Sequence, residues 1–323
     1  MSIKTRQPSG RPAWPIMLIA GTEKSGKSYA SAEASASDLV DRTFWIGVGE
    51  DDPDELGALD GARFEIVEHD STYRSVLAAI EAIHAEPVTD KPHLIVLDSG
   101  TRVWDMLSDE IQITANRRAA RKGREVPEDG VRPTMDLWNS AKQRWNHVLD
   151  ALREHDGPVI ITARLDETTV VDGEKPTKDK DWKVKAEKNL PYDVGVIVQL
   201  RGFGNAFLTG VRSLRIKRNP SELTKLPDFT VDGIWRGLGL ADATPSARSH
   251  SPASGAASVA ADDDANKRRA ALLERLGDVC DEKRYDRADI AEQWQELKGH
   301  PLKDTNDLDG IEALIADIEM RDV

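Results

Sequence analysis

Short apolar runs separated by segments of helical period set the frame of this chain. Ile16-Met17-Leu18-Ile19-Ala20 is the first run, and the Ala/Ser-rich residues 23–39 after it read as a helix. Residues 43–48 (TFWIGV) and 63–67 read as short strands, and Tyr73, Val76, Leu77, Ile80 and Ile83 then recur at helical spacing. Leu94-Ile95-Val96-Leu97 is a buried-strand run that leads into a helix through Trp104 to about Ala120. Residues 134–155 form the clearest amphipathic helix, with Leu137, Trp138, Ala141, Trp145, Val148, Leu149 and Leu152 on one side. Val159-Ile160-Ile161-Thr162 is the next strand, and residues 194–200 and 208–217 close the region as alternating strands. Strands alternating with helices predict an α/β fold: a mostly parallel sheet with helices on both faces and ligands at the C-terminal strand ends.

The pattern then stops. Residues 241–264 are dominated at first by Ala, Ser, Pro and Gly and read as a flexible linker, as residues 1–13 read as a flexible N-terminus. Beyond the linker, apolar residues return at helical spacing in three groups: Ala270 to Val279, Ile290 to Leu297, and Leu308 to Ile318. The expected organisation is therefore a main domain over residues 14–240 and a small helical domain over 265–323.

Charge sharpens that division. The chain carries a formal net charge of -13, and residues 262–323 hold 18 acidic and 10 basic side chains. The acidity is concentrated in the tail, which makes the tail a poor nucleic-acid binder and a candidate protein-interaction or self-association module, with a purely stabilising addition an equal reading. Bulk adhesion to nucleic acid or anionic membrane is disfavoured, so any DNA contact falls to local basic patches. A single cysteine, Cys280, excludes an internal disulfide and fits a reducing compartment. No apolar run approaches the roughly 18 residues of a membrane span, and the N-terminus lacks a signal-peptide centre. The expectation is a cytoplasmic protein with no membrane partner.

The chemistry begins where the first strand meets its helix. GTEKSGKS, residues 21–28, is a complete Walker A phosphate loop between a strand and a helix. Gly21, Thr22, Glu23, Lys24, Ser25, Gly26, Lys27, Ser28 and Tyr29 are the expected nucleotide contacts. Gly21 and Gly26 let the backbone wrap the phosphates, Lys27 meets the β- and γ-phosphates, and Ser28 meets Mg²⁺. ATP and Mg²⁺ are the implied ligands.

Three other strand ends fit a nucleoside triphosphatase. Asp98, closing the run Leu94 to Leu97, matches a Walker B carboxylate for Mg²⁺; its plainer reading is a cap for the following helix. Glu50, at the end of TFWIGVGE, is the candidate base for the attacking water, while Asp52 is assigned to capping the helix start Pro53-Asp54-Glu55. Arg164, in Thr162-Ala163-Arg164, is either a γ-phosphate sensor or a surface arginine paired with Asp166 or Glu167.

The basic segments supply the DNA candidates. They are Arg117, Arg118, Arg121, Lys122 and Arg124; Lys178, Lys180, Lys183 and Lys185, with Trp182 available to stack on a base, in a Lys-rich loop over residues 175–188; and residues 212–218. Solvated charged faces are the plainer account. For Trp138 and Trp145 a core stripe is favoured over base stacking.

The order of these parts resembles the RecA-type ATPase core, and more narrowly the phage RecA-like single-strand annealing proteins. The resemblance rests on GTEKSGKS (21–28), IGVGE (46–50), LIVLDSG (94–100), LWNSAKQRWNHVLDALRE (137–154), VIITAR (159–164), PYDVGVIVQL (191–200) and LRIKRNP (214–220). It implies a RecA-like P-loop core, water activation by Glu50, and a loop over residues 166–190 that contacts single-stranded DNA. It also implies that Lys217 and Arg218 reach into the ATP site of a neighbouring subunit in a ring or filament. Arg164 stands where such relatives commonly carry Gln or His.

The function these readings predict is an ATPase acting on single-stranded DNA in phage recombination or replication, by annealing or strand pairing. The small domain would bind a single-strand binding protein or another replication partner. The rival is a nucleotide-dependent switch or loader that works through protein partners with weak DNA contact. A small-molecule kinase is a weaker third reading, since no acceptor-substrate lid is visible.

Overall fold

The computed structural model describes residues 3, 5–172, 175–216, 223–242, 245, 248, 256–298, 301–302, 305 and 307–320. They divide into two compact units, Met1–His250 and Ser251–Val323.

In the first unit, β1 (Ile16–Gly21) is buried along its whole length and sits between β5 (Val159–Asp172) and β7 (Val196–Leu200), parallel to both. Outward from β5 follow β4 (Leu94–Asp98), β2 (Thr43–Gly47) and the two-residue edge strand β3 (Glu65–Ile66), all parallel. Beyond β7 the sheet turns antiparallel through β8 (Ala206–Val211) and β9 (Thr224–Leu226). The central strands β1, β2 and β4 are buried almost throughout and show no polar alternation, because helices cover both faces there.

One face is closed by α2 (Tyr73–His84), α3 (Gly100–Arg121) and α4 (Met135–Glu154), whose Ile80, Leu107 and Trp145 join Leu18, Ile46 and Ile161 in a single core. The other is closed by α1 (Lys27–Ala34) and α6 (Val231–Gly237), where Trp235 packs edge-on against Trp14 at 5.7 Å. A short helix, α5 (Leu190–Asp193), leads into β7. Trp145 is fully buried, and Trp104 lies 6.1 Å from it and 6.4 Å from Trp138, so the tryptophans of α4 belong to the core. The expected class, an α/β fold with a mostly parallel sheet covered by helices on both faces and further helices beyond it, is what the chain adopts.

Several local expectations are corrected. Residues 166–185, expected as part of a loop, form most of a long antiparallel hairpin in which β6 (Lys175–Lys185) pairs with β5. The β-branched run Thr168 to Val171 favours extended backbone, and alternating polar residues suit a hairpin that projects beyond the sheet. Asp54–Ala58 is a single 3₁₀ turn instead of a helix, with the Asp52 carboxylate accepting from the Asp54 N–H at 3.0 Å. Strand β9 and helix α6 were not foreseen.

The segment expected as a linker is pinned at Arg248. Its guanidinium is largely buried and donates to the carbonyls of Trp14 at 3.0 Å, Leu152 at 2.7 Å and Gly157 at 2.6 Å. Composition hides such an anchor, because one five-donor side chain satisfies several carbonyls without any apolar neighbour in sequence. The segment also ends sooner than expected: α7 (Ala256–Lys283) begins inside it, where alanine favours helix.

The second unit packs α7 with α8 (Arg287–Lys298) and α9 (Leu308–Met320) around Leu276, Cys280, Trp294, Ile311, Ile315 and Ile318. Arg268 to Glu312 and Arg275 to Glu319, at 2.8 and 3.0 Å, tie α7 to α9 on the surface.

Candidate nucleotide site

The phosphate loop occupies the C-terminal end of β1, where the backbone must reverse into α1. Gly26 stands at the helix entrance with φ 97°, a conformation that costs a residue with a Cβ. Gly21 has no room for one, since a Cβ there would meet Ser25 Oγ at 2.3 Å and Lys27 Cγ at 2.9 Å. The first N–H groups of α1 have no carbonyl within the helix to accept them and carry the positive end of its dipole. Lys27 Nζ donates to the carbonyls of Gly21 at 3.3 Å and Thr22 at 3.0 Å, lying along the loop it serves.

Asp98 ends β4 beside this loop and is almost fully buried. Ser28 Oγ donates to its Oδ2 at 2.8 Å, and Thr162 Oγ1, from the intervening strand β5, donates to its Oδ1. Helix α3 is capped by Ser99, whose Oγ accepts from the Arg102 N–H, so capping is not the work of Asp98. Burial pushes the Asp98 carboxyl above the usual carboxylate range, against the hydrogen bonds from Thr162 and Ser28. Burial likewise pulls Lys27 below its ordinary value, opposed by the charges of Asp98 and Glu50.

A hydroxyl and a carboxylate held together at the phosphate loop match the oxygen ligands that Mg²⁺ takes. Among the described residues no three or more His, Cys, Asp or Glu side chains form a metal cage, so the remaining ligands would be phosphate oxygens and water.

Glu50 follows β2 and is held by three groups. Ser99 Oγ donates to Oε1 at 2.8 Å, Arg164 Nη2 lies 3.1 Å from both oxygens, and Arg102 Nε lies 3.8 Å from Oε1. Arg164 thus pairs with Glu50, and the surface pairing expected with Asp166 or Glu167 is replaced; Asp166 pairs with Lys185 at 3.0 Å. Lys27, Ser28, Glu50, Asp98 and Arg164 all line one cavity of about 760 Å³, with Glu23, Lys24, Ser25 and Tyr29 at the same wall.

The suggested DNA residues separate. Lys185 lines this cavity and Lys183 an adjoining one. Trp182 packs partly buried against the core with the Arg201 guanidinium 5.1 Å over its ring, and it lines neither cavity. Arg117, Arg118 and Arg121 are exposed in the last turns of α3, roughly 25–32 Å along its axis from Gly100, and Lys122 and Arg124 are exposed just beyond it. Arg118 is paired there with Asp136 at 2.7 Å. Lys217 and Arg218, and the side chains of Lys178 and Lys180, lie outside the described residues.

Sequence reading missed Ser99 and Arg102 as partners of Glu50. The available signal was the serine directly after Asp98 with arginine three residues on, at a strand-to-helix junction.

This combination of phosphate loop, strand-end carboxylate and intervening polar strand defines a P-loop nucleotide-binding domain of the ATPase type. Residues 14–225 match the family model described as AAA domain, and the chain belongs to that family. No curated protein matches it. Among solved structures, a RadB recombinase is 20% identical over 63% of this chain and 84% of its own, with a TM-score of 0.37. An ATPase from the type III secretion system of pathogenic bacteria is 12% identical over 57% of this chain and 50% of its own, with a TM-score of 0.32. No helix among the described residues is long and apolar enough to cross a membrane.

Proposed function

We propose that the protein hydrolyses ATP with Mg²⁺ and couples the reaction to single-stranded DNA, in annealing or strand pairing during phage recombination or replication. The observation that carries the ATPase reading is the convergence on one cavity of Lys27 and Ser28 from the start of α1, Asp98 from the end of β4, Glu50 from the loop after β2, and Arg164 from within β5.

In this reading the N–H groups of the loop and Lys27 hold the β- and γ-phosphates. Mg²⁺ beside Ser28 and Asp98 would supply neutralisation of phosphate charge. Glu50 is positioned by Ser99 to receive a proton from the attacking water. The γ-phosphate competes with Glu50 for the Arg164 guanidinium, because a planar guanidinium matches phosphate oxygens as well as carboxylate ones. Transfer of Arg164 to the phosphate frees Glu50 for water. Head-to-tail assembly, with Lys217 and Arg218 entering from a neighbouring copy, belongs to the same proposal, as does a cytoplasmic location.

DNA coupling is supported by the hairpin that carries Arg164 on one strand and Lys185 opposite it on the other. The test is the ATPase rate with and without single-stranded DNA at low salt, with Lys27→Ala as blank. Stimulation supports the coupling, and a flat response with intact ATP binding removes it.

One observation favours the switch or loader reading. The second unit has a cavity of about 800 Å³ between α7 and α8 that combines Leu273, Ala288 and Leu302 with Glu292 and Glu296. An apolar floor with acidic neighbours suits a basic partner peptide better than DNA. Capture of a replication partner by the full chain but not by one lacking residues 256–320, with a DNA-independent ATPase, would establish it.

A further inference from the structure

A second cavity, of about 480 Å³, adjoins the nucleotide site between the start of α3 and the β5–β6 hairpin. Thr101, Trp104 and Asp105 come from α3, and Arg164, Lys183 and Lys185 from the hairpin. Arg164 and Lys185 line both cavities. Its volume lies within the range of about 300–1,000 Å³ typical of ligand sites.

The two walls are fixed to one another. Thr101 Oγ1 donates to the Lys185 carbonyl and accepts from the Arg164 N–H at 2.9 Å, so the helix and both hairpin strands meet at one hydroxyl. Register then sets the cations: Lys185 is opposite Arg164, and Lys183 opposite Asp166. Trp104 is half-buried, braced by Trp138 and Trp145, and reaches the cavity with a ring that needs no ordering before it stacks.

We propose that this cavity takes one nucleotide of a single-stranded nucleic acid, its base against Trp104 and its phosphate at Lys183 and Lys185. An aromatic face beside lysines is what sequence-tolerant strand binding uses. Asp105, which sits 3.6 Å from Arg102, supplies an acceptor for a base N–H, and Asp166, paired with Lys185 at 3.0 Å, yields that lysine to the phosphate. The assignment rests on the single-stranded DNA reading above and deepens it. It moves the stacking role from Trp182 to Trp104, and it places the bound nucleotide one arginine away from Glu50. Strand binding then acts on Arg164 directly, and the energetic link between strand and triphosphate runs through that side chain.

A free mononucleotide shares this chemistry, so the experiment separates the two. The full chain, with a non-hydrolysable ATP analogue, is titrated with a fluorescent oligothymidylate and, separately, with thymidine monophosphate. A 5-iododeoxyuridine oligonucleotide is photo-cross-linked to the unmodified protein and the adduct mapped by mass spectrometry, which avoids any risk that a Trp104 variant fails to fold. Lys183→Glu, an exposed substitution, is the companion variant.

The expected result is an adduct on Trp104, no competition by the monophosphate, and binding weakened by roughly tenfold to a hundredfold in Lys183→Glu. The salt dependence of that variant becomes shallower by about one phosphate contact. Strand binding with the adduct elsewhere and Lys183→Glu unaffected overturns the cavity while leaving the DNA reading in place. No strand binding by the unmodified protein at low salt overturns both. A monophosphate that binds as tightly as the strand and labels Trp104 overturns the strand assignment and makes this a mononucleotide site.

Discussion

Arg164 Nη2 lies 3.1 Å from both carboxylate oxygens of Glu50, so the candidate base is held by the residue that faces the phosphate cavity. The pair is partly exposed, and such pairs contribute only about 0–1 kcal/mol to stability. Glu50→Gln keeps the shape and the hydrogen bond from Ser99 but cannot take a proton. The expected outcome is unchanged nucleotide affinity and a turnover lowered by roughly 10²–10⁴-fold, with little change in melting temperature. Equal turnover in both proteins would remove Glu50 from the mechanism.

Asp98 predicts a conflict between stability and function. Burial raises its folded pKa above that of the unfolded chain, so the cost of ionised Asp98 to folding builds as pH rises above the ordinary value of 3.8 and is complete above the folded pKa. As pH falls toward the ordinary value of 3.8, both states protonate and the penalty disappears. Asp98→Asn carries no charge and still accepts from Thr162. Without nucleotide, that variant is expected to melt above the parent at neutral pH and to converge with it in acid, while losing Mg²⁺-dependent turnover. Thermal melts across pH give the first result and an ATPase assay the second; an advantage that persists in acid would show that ionisation is not its source.

Much of this site was legible because its residues sit where strand signals end. Ile16 to Ala20, Thr43 to Val48 and Leu94 to Leu97 are apolar runs whose polar successors fall at the C-terminal edge of a parallel sheet, so Lys27, Glu50 and Asp98 could be placed without coordinates. What escaped depends on pairings distant in sequence. Trp104 gives the same periodic signal whether it is core or cavity wall, and only the hairpin over α3 decides that. The hairpin itself was hidden by charge: Lys175 to Lys185 has little apolar content, and its strand pairing comes from β5. Arg248 escaped for the same reason, since nothing near it in sequence predicts carbonyls 91 or more residues away.

Those carbonyls make Arg248 a structural residue in a segment that composition assigns to a linker. It joins the end of α4 to the entries of β1 and β5. Burial lowers its pKa to about 10, still high enough to keep it charged under ordinary conditions. Arg248→Ala removes every donor at once and is expected to lower the stability of the first unit by about 1–3 kcal/mol. Arg248→Lys, with a charge but no planar fork, should recover only part of the loss. Urea unfolding followed by tryptophan fluorescence measures both, and no loss in Arg248→Ala would make the contact incidental.

His155 gives the first unit an acid limit that is separable from its carboxylates. The imidazole is buried at the C-terminal end of α4, with Nε2–H donating to the His93 carbonyl at 2.8 Å and the ring stacked on His84 at 5.8 Å. Burial depresses its pKa from 6.5 to about 4, and the nearby Arg248 charge acts in the same direction. The unfolded chain therefore takes up this proton first as pH falls. The neutral ring imposes no cost above pH 6.5, stability declines as pH drops through that value, and the full loss, roughly 3 kcal/mol, is reached below about 4. His155→Gln retains an N–H donor and does not titrate. Its unfolding free energy, measured in urea from neutral pH to about pH 4, is expected to fall less steeply than that of the parent, the two curves separating only below about 6.5. Parallel curves throughout would mean that His155 takes up its proton equally in both states, and the acid limit would then belong to other groups.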